Sequence, residues 1–221
     1  MLETPIIIVN YKTYAPSIGD KAVKLTSTIE ENCDENWAVA PQTADVRMIN
    51  EETDLPILAQ HVDGVKPGSN TGHTLLETMV DSGVEATLIN HSEKRLKLSD
   101  IEYVVNRCKK KDIETIVCAN NPEVAASAAA LDPEYVAYEP PELIGGDVSV
   151  SSAKPEVVEE AVKKVKEVNQ DVEVLCGAGV KNGEDVKAAL ELGTEGVLLA
   201  SGLVKADNKE KVIKDLESGV P

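Results

Sequence analysis

Short apolar runs rich in β-formers recur along the chain, and polar segments with helical spacing fall between most of them. The runs are "PIIIV" (5–9), "WAVA" (37–40), "PILA" (56–59), "ATLI" (86–89), "ETIVC" (114–118), "YVAY" (135–138), "VEVLC" (172–176) and "GVLLA" (196–200). Each is almost continuously apolar, as strands covered on both faces must be. The intervening stretches carry apolar residues at helical spacing. In 17–30, Ser17 is placed to cap a helix whose buried face is Ile18, Ala22, Leu25 and Ile29. In 99–111, Ser99 and Glu102 have capping-box spacing, and Lys109–Lys111 suits a helix C-terminus. Pro155 suits the first turn of a helix with Val158, Ala161, Val165 and Val168 on one face. Asn182 is placed to cap a helix that Gly193 closes.

Eight strands alternating with helices predict a parallel sheet, and the chain of 221 residues has room for a compact (β/α)8 barrel. A doubly wound open sheet is the alternative. It calls for a glycine-rich turn after the first strand, which "IVNYKTY" lacks. No linker divides the sequence, so residues 1–221 are expected to form one domain.

Composition narrows the partners. The net charge of −17, from 39 acids against 22 bases, argues against nucleic acid and anionic membranes as ligands. It also repels an anionic substrate at long range, so a phosphate site would need its own local positive field. No apolar run reaches the ~18 residues of a membrane span, and the N-terminus lacks the basic flank and cleavage site of a signal peptide. The expectation is a cytoplasmic protein. Cys33, Cys108, Cys118 and Cys176 have no metal-ligand or disulfide spacing and read as structural thiols.

In this barrel class, chemistry gathers beyond the C-terminal ends of the strands. Asn10 and Lys12 follow the first run, Asn90 and His91 the fourth, and Glu139 the sixth. "GAGV" (177–180) follows the seventh run and "ASG" (200–202) closes on the eighth. Taken singly, each is an ordinary surface or turn residue. Together they put an amide, an amine, an imidazole and a carboxylate at one mouth, beside two glycine-bearing turns. Backbone N–H groups in turns at these two positions form the recurrent phosphate site of the architecture. His61, His73 and His91 are too dispersed to suggest a metal. Within "VAYEPPELIGG" (136–146), Glu139 is followed by a stiff Pro140-Pro141 pair and a permissive Gly145-Gly146 pair, the pattern of a base beside a hinged lid.

Taken in order, "NYKTY" (10–14), "NHSEKR" (90–95), "YEPPELIGG" (138–146), "CGAGV" (176–180) and "GVLLASG" (196–202) resemble the triosephosphate isomerase family in its shorter archaeal form. The resemblance spans essentially the whole chain. It implies interconversion of D-glyceraldehyde 3-phosphate and dihydroxyacetone phosphate in glycolysis and gluconeogenesis, without metal or organic cofactor. It implies Glu139 as the proton-transferring base, His91 as a neutral electrophile, Asn10 as a substrate hydrogen-bonder and Lys12 as the cation. Glu93 would organise Lys12. Backbone near Ile144, Gly179, Ala200 and Ser201 would hold the phosphate, under a lid of Pro140, Pro141, Glu142, Leu143, Ile144, Gly145 and Gly146. His91 would owe its neutrality to a short helical turn starting at Ser92. Longer relatives have an aromatic residue early in the lid and Gly-Gly on the eighth loop, where this chain has Pro141-Glu142 and Ala200-Ser201. The long loop 61–73 carries Thr71-Gly72, which resembles a tip inserted beside a neighbouring subunit's site, and the expected assembly is a homotetramer built from dimers. Two other readings stay open on the residues alone: another phosphosugar-binding barrel isomerase, or a barrel oligomer without turnover.

Overall fold

The computed structural model describes residues 2–34, 36–140 and 155–221. Its strands are β1 (Ile6–Asn10), β2 (Asn36–Ala40), β3 (Leu58–Ala59), β4 (Ala86–Ile89), β5 (Glu114–Ala119), β6 (Tyr135–Tyr138), β7 (Glu173–Cys176) and β8 (Gly196–Leu199). Neighbouring strands pair in parallel, in the order β2-β1-β8-β7-β6-β5-β4-β3. A parallel bridge from Val39 to Ile57 joins the two ends of that order and brings the sheet round into a barrel. The (β/α)8 expectation holds.

Helices α1 (Asp20–Glu30), α2 (Val46–Asn50), α3 (Leu76–Asp81), α4 (Leu98–Lys109), α5 (Pro122–Ala129), α6 (Pro155–Val168), α7 (Gly183–Glu191), α8 (Ser201–Val204) and α9 (Lys209–Glu217) are interleaved with the strands. Residue alternation along each strand divides the core in two. Ile6, Ile8, Leu58, Leu88, Cys118, Ala137, Leu175 and Leu198 fill the inner cluster. Ile7, Val9, Val39, Ile89, Val117, Val136, Val174 and Val197 face the helices. Both sets are excluded from water, which explains why the strands read as unbroken apolar runs.

The same period of two fixes what stands at the mouth. Two positions beyond the inward Ile8, Leu58, Leu88, Ala137, Leu175 and Leu198 lie Asn10, Gln60, Asn90, Glu139, Gly177 and Ala200. At the opposite end, Glu85, Glu114, Glu134, Glu173 and Glu195 occupy or immediately precede the first residues of β4 to β8. Burial, reinforced by the neighbouring carboxylates, raises the pKa of Glu114 and of Glu173, and one oxygen of Glu173 is buried without a hydrogen-bond partner.

Several helix starts differ from expectation. Ser17 caps nothing, because Pro16 lies in a 3-10 turn (Ala15–Ser17) and the Ser17 hydroxyl donates to the carbonyls of Tyr11 and Tyr14, both at 3.0 Å. The first turn of α1 is met instead from across the fold, where Asp45 accepts from the Gly19 N–H at 3.1 Å. Ile18 is therefore outside the helix and 47% exposed rather than on its buried face. Helix α4 starts before Ser99 with no side-chain cap, and Ser99 turns to Asp100. Val168 ends α6 at 49% exposed, while Val158, Ala161 and Val165 are buried as the spacing requires. Asn182 does cap α7, accepting from the Asp185 N–H at 2.9 Å, and Gly193 closes the turn at φ 86°.

Candidate active site

Asn10, Lys12, His91, Glu139, Gly177, Gly179, Ala200 and Ser201 all line one cavity at the C-terminal mouth of the barrel. Thus the proton-transfer and phosphate candidates on the described strands converge. Glu93 stands just behind, tied to Lys12. Of the lid expectation, Pro140 is described and buried, while Pro141 to Gly146, with Ile144 among them, lie outside the described residues. Thr71 and Gly72 are exposed on the loop after β3, away from the cavity lining.

Lys12 is delivered by a strained piece of backbone. Its φ is 47°, in the left-handed region that costs an ordinary residue roughly 1 kcal/mol or more. Two side-chain amides hold it there. Asn10 Oδ1 accepts from the Lys12 N–H at 2.9 Å. Gln60 Nε2 donates to the Lys12 carbonyl at 3.0 Å and to the Ala40 carbonyl at 2.9 Å. The ammonium then reaches Glu93 Oε1 at 3.0 Å, with Lys12 11% and Glu93 61% exposed at the side chain. Asn10 thus shapes the loop besides facing the cavity.

His91 sits on the turn after β4. The preceding Asn90 has φ 61°, a conformation that Asn tolerates better than most residues, and its side chain secures both sides of the turn. Nδ2 donates to the Cys118 carbonyl and Oδ1 accepts from the Leu96 N–H, both at 2.9 Å. The Glu93 N–H donates to His91 Nδ1 at 3.2 Å. A backbone N–H cannot accept, so the neutral ring keeps its proton on Nε2, facing the cavity. Burial, with Lys12 and Arg95 adding to it against Glu93, lowers the His91 pKa to about 4. The expected helical turn at Ser92 is only a turn closed by Lys94 N–H to the His91 carbonyl at 2.8 Å. Desolvation therefore replaces a helix dipole as the main cause of neutrality.

Glu139 follows β6 and is 3% exposed. Its N–H donates to the Ala119 carbonyl at 2.7 Å, carrying the strand ladder one residue further. Burial raises its pKa to about 7, against the opposing pull of the Cys118 thiol, Lys12 and Arg95. One carboxylate oxygen lies 3.5 Å from His91 Nε2, and the other is buried without a hydrogen-bond partner. A glutamate like this is a far stronger base than one in water, whose pKa is about 4.3. Space for it depends on Gly177, where an added Cβ would lie 2.4 Å from Glu139 Cγ.

Gly177 and Gly179 on the seventh loop and Ala200, Ser201 and Gly202 on the eighth border the same cavity. Gly179 has φ 74°, which allows its backbone to turn toward the cavity without a Cβ in the way. A Cβ on Gly202 would be 3.2 Å from the Val180 carbonyl, so the two loops are closely packed. Tyr14 and Lys181 also line the cavity and were not anticipated, nor was Gln60 beside it. Applying the strand-end rule to the third strand would have found Gln60.

A base and a proton donor 3.5 Å apart, flanked by an ammonium and two open loops, can move a proton and stabilise an oxyanion on a small anionic substrate. Fold and site together define a barrel enzyme of the isomerase class. A model of the triosephosphate isomerase family matches residues 5–216. The triosephosphate isomerase of Methanocaldococcus jannaschii is 55% identical over 214 residues, covering 96% of this chain and 98% of that one. Those of Methanothermus fervidus and Methanobrevibacter smithii are 51% and 49% identical, with 97% and 98% of this chain covered and 98% and 99% of theirs. The chain belongs to the triosephosphate isomerase family.

Proposed function

We propose that the chain interconverts D-glyceraldehyde 3-phosphate and dihydroxyacetone phosphate through an enediolate, as one barrel domain serving glycolysis and gluconeogenesis. Glu139 takes a proton from one substrate carbon and returns it to its neighbour. His91 donates from Nε2 to the substrate oxygens as a neutral imidazole. Asn10 adds a hydrogen bond to a substrate oxygen, and Lys12, held by Glu93, balances the charge that develops there. Backbone N–H groups at Gly179, Ala200 and Ser201 bind the phosphate.

One observation carries this reading. Glu139 and His91 Nε2 stand 3.5 Å apart at the same mouth, and burial shifts the carboxylic acid and the imidazolium to about 7 and about 4. At neutral pH that pair contains a usable base and a neutral donor, the two groups that abstraction of a proton next to a carbonyl requires.

The assembly we infer is a homotetramer built from dimers in the cytoplasm, with the Thr71-Gly72 tip reaching a neighbouring subunit. The loop bearing that tip is tied at its base, where Asp63 and Thr74 exchange hydrogen bonds at 2.7 and 2.8 Å. A fixed base suits a loop that must present its tip to a partner.

Coupled turnover of glyceraldehyde 3-phosphate tests the activity, and Glu139→Gln tests the base. The substitution should lower kcat by about 1,000-fold or more with the circular dichroism spectrum unchanged, as loss of a general base predicts. Near-normal kcat would remove Glu139 from this role.

A further inference from the structure

Two loops that serve different ends of the cavity leave from neighbouring strands. β1 and β8 pair as far as Val9 and Leu199. Beyond that point the first loop carries Lys12 and Tyr14 and the eighth carries Ala200 and Ser201, all four on the cavity wall. The two loops meet again further out, where the Lys205 ammonium stands 4.2 Å from the centroid of the Tyr14 ring. That is inside the ~6 Å over which an aromatic face attracts a cation.

Each partner is closely coupled to cavity residues. On the first loop, the Tyr14 carbonyl accepts from the Ser17 N–H at 2.9 Å and from its hydroxyl at 3.0 Å. The Tyr14 ring packs against the outer core cluster. Lys12, two residues away, keeps its φ of 47° through the Asn10 and Gln60 hydrogen bonds. On the eighth loop, α8 is a single turn. The Val204 N–H donates to the Ala200 carbonyl at 3.0 Å and the Lys205 N–H to the Ser201 carbonyl at 3.1 Å. Leu203 and Val204 are buried beneath it. A shift at Lys205 is therefore passed to Ala200 and Ser201, and a shift at Tyr14 to Lys12.

We propose that Tyr14 and Lys205 are a positioning pair that sets the separation between Lys12 and the Ala200-Ser201 turn. The proposal rests on the phosphate placement given above. A triose phosphate engages both ends of the cavity in one molecule, so its binding and turnover depend on that separation. Inorganic phosphate engages the eighth-loop end alone, and unphosphorylated D-glyceraldehyde the Lys12 end alone. The pair thus matches the cavity to the length of its substrate.

The test measures kcat and KM for glyceraldehyde 3-phosphate, inhibition by inorganic phosphate, and kcat/KM for D-glyceraldehyde. Lys205→Met should lower kcat/KM for glyceraldehyde 3-phosphate by about two- to five-fold, the size of an exposed cation–aromatic contact. Its phosphate inhibition constant and its D-glyceraldehyde turnover should equal those of the wild type. Lys205→Arg and Tyr14→Phe keep a cation and a ring, and should keep wild-type kinetics with glyceraldehyde 3-phosphate. Tyr14→Leu should lose as much as Lys205→Met, and the double variant no more than either, because all three break one contact. An unchanged kcat/KM in Lys205→Met overturns the proposal. Weaker phosphate inhibition in that variant also overturns it, since the lysine would then act as a charge on the phosphate. So does a parallel fall in D-glyceraldehyde turnover, which marks a structural role, and so do losses that multiply in the double variant. If inorganic phosphate fails to compete with substrate even in the wild type, the phosphate placement falls and the assignment of the pair falls with it.

Discussion

Glu139 and His91 are displaced in opposite directions by the same first cause. Burial penalises whichever form is charged, so the carboxylic acid titrates high, at about 7, and the imidazolium low, at about 4. In the free enzyme kcat/KM should therefore rise with pH through about 7, as Glu139 ionises, and nitrogen NMR should show His91 unprotonated at pH 6. A limb centred near 4.3 would mean the burial is ineffective. The stability consequence has the opposite sign for the two groups. Between about 4.5 and 7 the folded state holds the Glu139 proton more tightly than the unfolded chain, so ionisation erodes stability as pH rises. Between about 6.5 and 4 the unfolded chain takes up the His91 proton first, so stability falls as pH falls. Glu139→Gln should consequently melt higher than wild type at pH 8, and the gain should shrink toward pH 5. His91 was legible only as a residue just past the fourth run, two positions beyond the outward Ile89, whereas Glu139 was legible because it follows its strand in the inward register. Gln60 follows the same rule. Its task was hidden, because nothing in the order of residues shows that Lys12 adopts a positive φ and needs its carbonyl held.

Elements were legible where the signal is local. Strand runs are set by burial on both faces, so seven of the eight appear within a residue or so of the expected boundaries, while β3 shrinks to Leu58–Ala59. Asn182, Asn121 and Asn208 each cap a helix by accepting from the N–H three residues on, at 2.9, 2.8 and 2.9 Å. Ser17 and Ser99 have equally good cap chemistry and fail, because a 3-10 turn and an earlier helix start use the backbone differently. The Asp45 bond to Gly19 crosses between elements and leaves no mark in a sequence window. Helix α7 begins directly after the seventh loop and holds its Lys181 N–H through Asp185, so its cap matters to the site. Asn182→Ala should destabilise the chain by about 1 kcal/mol in urea unfolding, the usual cost of an N-cap. A loss below about 0.3 kcal/mol would show that packing alone fixes the helix start.

The whole molecule places unlike electrostatics at its two ends. The mouth gathers Lys12 and Lys181 around the cavity, whereas the opposite rim carries five glutamates at the starts of β4 to β8. Desolvation and neighbouring carboxylates both raise the Glu173 pKa, so its charge opposes folding at neutral pH. Glu173→Gln should raise the melting temperature at pH 7 in dilute buffer, and the gain should diminish in 1 M salt as screening relieves the wild type. A lower melting temperature in both conditions would mean that the carboxylate is needed where it stands. The closed parallel order has a further consequence, in time rather than in space. Strand β8 lies between β1 and β7, and the cavity draws residues from Asn10 to Gly202. While the chain is being synthesised, the first strand emerges early yet must wait for nearly the last segment before its loop has a site to serve. Turnover thus begins only when the ends of the sequence have met, which makes the first catalysed molecule a report that the ring has closed.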